Sequence, residues 1–219
     1  MKKIISALVA AATGALLAGT AHALPVHAQA GKTTALPSVA SERIPAPPIG
    51  VDSPHSVYAA NVPLQINILG NLTVDFKGGI NLTPRRTTEN ETVFEVQNFR
   101  VEADTSPSAP HRGTLIVLKK WNNALTPLSV LQPSSGGRSE MLIYLSLTLE
   151  FIDKATGETV QTLHTDPTQY ATLRATDVTS FPLVNQHFSL QEQVSFFQKG
   201  DYKPHAKLAA FDSVINGSA

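Results

Sequence analysis

Side chains able to do chemistry are present in this chain, but few stand at spacings that a reaction demands. Nucleophilic hydrolysis on the common folds leaves a glycine-flanked serine elbow, and no G-x-S-x-G occurs. The nearest stretch, Ser134-Ser135-Gly136-Gly137-Arg138-Ser139, has the composition of a turn. Metal sites show His or carboxylates at short regular intervals, as in H-E-x-x-H or an Asp-rich calcium loop; neither pattern is found. His164-Thr165-Asp166 puts two donors at i and i+2, but Pro167 follows, so Asp166 is expected to cap backbone amides in a turn. The sequence thus calls for no metal or cofactor.

Glycoside hydrolysis needs two carboxyl groups that different strands can supply. Glu95, Glu102, Glu150 and Glu192 all fall on strand candidates, and Glu192 alone shares the parity of its apolar neighbours Phe188, Leu190, Val194 and Phe196. A break in the strand at Glu192 is the plainer reading. Sugar platforms need exposed aromatic rings, for which Trp121, Tyr144, Tyr170 and Tyr202 are the candidates. Tyr144 stands out because it lies on the polar parity of the clearest strand. Asp104 and His111 flank one loop and can meet there. Four sequons begin at Asn71, Asn81, Asn90 and Asn216 and matter only in a host that glycosylates.

The elements that must hold these residues begin after an export signal. Met1-Lys2-Lys3 precedes an apolar run from Ile4 to Leu17, too short to span a bilayer as a helix, and Ala21-His22-Ala23 offers small residues to a signal peptidase. Cleavage is expected after Ala23, or alternatively after Ala30, leaving no membrane span. The leader takes two of the 17 basic side chains and none of the 17 acidic ones, so the net charge moves from zero to about −2. That balance gives no electrostatic footprint for nucleic acid or an anionic membrane. An exported chain with no Cys forms no disulfides, so its core alone must stabilise it. Such a chain is more usual in bacterial than in animal secretion.

Residues 24–55 are rich in Pro, Ala, Ser and Thr and contain no aromatic residue. They read as a disordered or polyproline-like spacer. From residue 56 to 219 the pattern is that of one domain with period-two alternation. Leu64, Ile66, Ile68, Leu72, Val74 and Phe76 share a parity with Gly70, as one long strand or two bent at that glycine. Gly78-Gly79 ends the run, and Asn81 to Glu91 reads as a polar loop. Phe94 and Val96 fall on even positions but Phe99, Val101 and Ala103 on odd ones, which a one-residue bulge near Gln97-Asn98 reconciles. Residues 113–119 are apolar on both parities, as in a strand covered on two faces. Met141 to Phe151 alternates without a slip, and Asp153 to Glu158 is a hairpin connection to a returning strand over 159–164. Residues 170–175, 188–196 and 208–215 are further strand candidates.

Many strands with polar turns and almost no helical periodicity predict an all-β, antiparallel β-sandwich, immunoglobulin-like in general architecture, with a barrel as the alternative. The expected role is a non-enzymatic secreted or cell-envelope module that binds an extracellular protein, a glycan or the cell wall. The surface residues singled out for binding are Arg85, Arg86, Asp104, His111, Arg112 and Tyr144. Two alternatives stay open: an extracellular hydrolase with dispersed carboxylates, and a carrier of an apolar ligand between the sheets.

Overall fold

The computed structural model describes residues 44–105, 113–121, 126–134 and 138–217. The expected leader with its two candidate cleavage sites, the expected spacer up to residue 43, and His111 and Arg112 lie outside them. Among the described residues there are thirteen strands and no helix. In chain order β1 is Ser53–Ile66, β2 Gly70–Thr87, β3 Thr92–Asp104, β4 Thr114–Lys120, β5 Ser129–Pro133, β6 Ser139–Leu145 and β7 Leu147–Asp153. They are followed by β8 Thr159–Thr165, β9 Ala171–Val178, β10 Gln186–Leu190, β11 Val194–Phe197, β12 Pro204–Leu208 and β13 Ser213–Gly217. All pair antiparallel in one sheet, in the order β12-β11-β8-β7-β4-β3-β2-β1-β13-β10-β9-β6-β5. The fold is all-β and antiparallel, as the alternation requires.

Two further pairings, β12 with β1 and β5 with β3, close the sheet on itself. Of the sandwich and the barrel, the arrangement therefore has the barrel's continuity. It makes two rings of eight strands each, and β1, β2 and β3 belong to both. Strand length permits the sharing. In β1, residues 55–58 pair with β13 while residues 64–66 pair with β12. In β3, residues 92–94 pair with β5 and residues 100–104 with β4. Each shared strand is irregular between its two halves, and bulges bend a strand and increase its twist. The β1 register shifts between Ala59 and Val62, where Asn61 takes a φ of 54° and donates its backbone N–H to Asp75 Oδ1 at 2.8 Å. The β3 register shifts at Gln97, where the parity slip in the sequence places a bulge, and β2 has an extra residue at Arg85.

Three segments differ from the alternation reading. Gly78-Gly79 does not end β2, and Asn81 to Thr87 is not a loop: β2 continues to Thr87, paired with β3 throughout. Pro84 is tolerated there because the neighbouring Arg85 bulge interrupts the ladder. Gly78 shares the parity of the buried Phe76 and Ile80 but is itself exposed, and a Cβ on it would stand 2.0 Å from the Arg100 carbonyl oxygen. The close approach of β3, not a chain reversal, is what requires glycine. Met141 to Phe151 is two strands that part at Ser146. All six odd positions are buried, so the parity survives while the pairing partners change from β5 and β9 to β4 and β8. The corner is held from outside the strand. The Ser146 carbonyl accepts the Trp121 N–H at 2.8 Å, and its hydroxyl lies 2.5 Å from that of Thr126. The 188–196 and 208–215 candidates likewise divide, into β10 and β11 and into β12 and β13. Glu192 falls in the first gap, which removes the inward-facing carboxylate.

One cluster of buried side chains runs through both rings, with Phe76, Phe94, Phe99, Phe188 and Phe196 among its largest members. Phe211, on the connection from β12 to β13, packs its ring 6.0 Å from that of Phe76 and 6.3 Å from that of Phe99. Ile44 packs against the cluster and Pro47 is buried, so the end of the Pro-rich stretch lies on the domain. His55 is buried beside the 181–183 turn. Its Nδ1 donates to the Ser53 carbonyl at 2.8 Å, and its Nε2 accepts the Leu183 N–H at 3.2 Å. Burial pushes its pKa below the ordinary histidine value, with the Ser53 bond opposing.

Candidate ligand-binding clefts

Among the described residues, three of the open clefts on the surface differ in chemistry. The first holds about 710 Å³ and is lined by Trp121, His164–Pro167 and Phe197–Tyr202. Trp121 reaches it because β4 ends there, pinned to the Ser146 corner by its own N–H. Its indole packs on the His164 imidazole, centroids 4.9 Å apart and planes at 38°. His164 is fixed from behind by Thr148, whose Oγ1 lies 3.1 Å from Nδ1. Burial lowers the His164 pKa, Glu150 raises it, and Lys119 and Lys199 lower it, so the ring is neutral at pH 7.

Two tight turns form the walls of this cleft. Asp166 accepts the Thr168 N–H at 2.8 Å and the Thr168 hydroxyl at 2.6 Å, which hold its carboxyl below the usual range. The sequence reading of Asp166 as a turn cap describes this geometry. On the other side Asp201 N–H bonds the Gln198 carbonyl at 2.9 Å, and Gly200 takes a φ of 85°. The Asp201 carboxylate meets His205 Nε2 at 2.7 Å and accepts the Lys203 N–H at 3.0 Å, the first of these contributing most to its lowered pKa. Both acids are thus occupied in shaping turns. Tyr202 projects from the second turn at 97 % exposure. Rigid aromatic faces beside Gln198, Lys199 and two fixed carboxylates can take a ligand with an apolar face and polar edges.

The second cleft, about 610 Å³, lies across the Asp166–Gln169 turn and is lined by Thr165, Thr168–Tyr170, Thr172 and Gln191–Ser195. Hydroxyls and side-chain amides dominate it. Tyr170 packs edge-on against Tyr144 at 5.2 Å, so two of the four aromatic candidates are partners, while Trp121 and Tyr202 share the first cleft. Burial, then Tyr170 and Glu140, raise the Tyr144 pKa. The third cleft, about 570 Å³, is lined by Asn61, residues 73–75, Lys77, residues 102–104 and Leu115, and it contains Asp104. Its acids are committed elsewhere: Asp104 pairs with Lys154 at 3.0 Å, Glu102 with Arg100 at 2.6 Å, and Asp75 accepts the Asn61 N–H. Among the described residues no group of three His, Cys, Asp or Glu is placed to hold a metal ion.

The four described residues marked in the sequence for surface binding, Arg85, Arg86, Asp104 and Tyr144, do not gather at one place. Arg85, on the β2 bulge, is paired with Glu95 of β3, its Nε donating at 2.7 Å, and Arg86 is paired with Glu91 at 2.7 Å. Asp104 lies at the far end of β3. Val93, the partner of Arg86, is eleven residues away, roughly 35 Å at about 3.3 Å per residue. Tyr144 is on β6, in the ring closed through β5, whereas Asp104 lies on the half of β3 that pairs with β4 in the other ring. Phe197 and Lys199 in the first cleft carried no binding signal in the sequence, and His164 stood out only as a metal donor beside Asp166, because nothing local to them shows that β8 and β11 are neighbours.

No protein-family model matches the chain, and no curated protein matches it. Among solved structures the chain is similar to that described as "Structure of DynF from the Dynemicin Biosynthesis Pathway of Micromonospora chersina". The likeness has a TM-score of 0.57 at 16% sequence identity and covers 78% of this chain and 82% of that one. At that identity it speaks for a shared fold and for nothing of the chemistry.

Proposed function

We propose that this protein is a non-enzymatic binding module of the secreted or cell-envelope class, and that its ligand is a glycan held in the Trp121 cleft. One observation carries the reading: Trp121, Phe197 and Tyr202 line a single open cleft together with Gln198, Lys199, Asp166 and Asp201. A sugar ring has an apolar C–H face and a rim of hydroxyls, and this cleft offers aromatic faces for the one and donors and acceptors for the other. The stacking of Trp121 on His164 and the turn bonds of Asp166 and Asp201 keep those three groups ordered before the ligand arrives, which limits the entropy lost on binding. The export signal in residues 1–23 supports a place outside the cytoplasm, where polymeric glycans are met.

The test is binding of the purified domain to an immobilised panel of neutral and acidic polysaccharides, repeated with Trp121→Ala and Tyr202→Ala. Anchoring aromatics at interfaces contribute about 2 kcal/mol or more, which is roughly a thirtyfold loss of affinity for the Trp121 variant. Capture of no glycan by the wild-type domain, or capture that ignores Trp121, refutes the reading.

A further inference from the structure

We infer that the ligand is an extended neutral oligosaccharide that runs from the Trp121 cleft over Thr165 into the amide-rich cleft beside it; this rests on the glycan reading above. Thr165 lines both clefts, and so does β11, through Ser195 in one and Phe197 in the other. Those two residues are about 7 Å apart along the strand at about 3.3 Å per residue, the length of one to two sugar units. The turn between the clefts is stiffened by Asp166, which bonds Thr168 through its side chain and Gln169 N–H through its carbonyl at 3.0 Å. It is therefore a fixed saddle and not a lid.

The two clefts divide the work of recognition. The first supplies aromatic faces. The second is lined by hydroxyls, three glutamine amides and Tyr170, and its lining contains no Lys, Arg or His and one carboxylate, Glu192. Such a lining suits hydroxyl groups and disfavours a uronate or a phosphate, which would meet Glu192 without a cation to balance it. A chain long enough to fill both clefts makes the second contact intramolecular, so affinity rises with chain length.

Isothermal titration of the domain with β-1,4-linked glucose and β-1,4-linked N-acetylglucosamine oligomers of increasing length, from a disaccharide to a hexasaccharide, tests this. For the series that binds, the hexasaccharide is expected to bind at least tenfold more tightly than the disaccharide. Gln191→Ala combined with Gln193→Ala, in the exposed β10–β11 connection, is expected to remove that gain and leave disaccharide affinity unchanged. A Trp121-dependent affinity that is flat with chain length, or a length gain untouched by the double variant, overturns the two-cleft ligand while the single-cleft reading stands. Absence of binding by every oligomer and by the polysaccharide panel overturns both.

Discussion

Replacing Gly78 with alanine tests the claim that β2 and β3 are forced together where the two rings join. The added Cβ would lie 2.0 Å from the Arg100 carbonyl oxygen, 2.7 Å from Val101 Cα and 2.9 Å from the Arg100 carbonyl carbon. Ordinary contact begins near 3.4 Å, so the strands must separate locally by more than 1 Å. All three obstacles are backbone atoms, so no side chain can swing aside. Strain of this kind costs about 1–3 kcal/mol. The separation also weakens the adjacent ladder bonds, each worth about 1 kcal/mol. Gly78→Ala is therefore expected to destabilise the domain by about 3–5 kcal/mol, a large part of a typical folding free energy. Gly79→Ala is the matched control, because its Cβ would meet only the His55 carbonyl oxygen at 3.0 Å, and a shift of a few tenths of an ångström relieves it. Urea unfolding followed by Trp121 fluorescence and by circular dichroism measures both. Equal midpoints for the two variants, within about 0.5 kcal/mol at a common m-value, refute the close-approach argument.

Acid should loosen the domain before its carboxylates titrate. The His55 and His164 pKa values are lowered by burial, so the unfolded chain takes up their protons first as the pH falls below about 6.5. Stability should be level above about pH 7, fall as the pH drops from about 6.5 toward the folded-state values, and fall less steeply in a His55→Gln variant; unfolding midpoints measured from pH 8 to pH 5 read this directly. Phe211→Ala removes a buried ring that contacts Phe76 and Phe99 and should cost about 3–5 kcal/mol, seen as a lowered urea midpoint. Arg85→Ala breaks an exposed pair with side-chain exposures of 44%/38% and should cost no more than about 1 kcal/mol, with glycan capture unchanged.

Period-two alternation made most strands legible because each has one face on the core, and it located the Gln97 bulge because a one-residue slip inverts the parity. Where the structure departs from that reading, the deciding atoms are distant in sequence. Nothing in the unbroken alternation of 141–151 reveals that Trp121 and Thr126 will seize Ser146. Nothing in the polar run of 81–87 reveals that β3 pairs with it to the end. The aromatic candidates were visible as residue types. Their sorting into Trp121 with Tyr202 and Tyr144 with Tyr170 depends on the order of the strands, which single-chain periodicity does not contain.

The closing of the sheet on β1 carries a consequence for how the chain reaches its native state. The outer side of β1 is covered by β12 and β13, whose residues lie about 140 to 160 positions further along the chain. Contacts that distant are slow to form because a large loop must close first. Until residues 204–217 have emerged and docked, the β1–β2 hairpin presents a bare row of backbone donors and acceptors to other chains. A nascent or truncated chain that stops before Pro204 is therefore a template for misassembly, and a holding factor that shields β1 during synthesis would act at that edge.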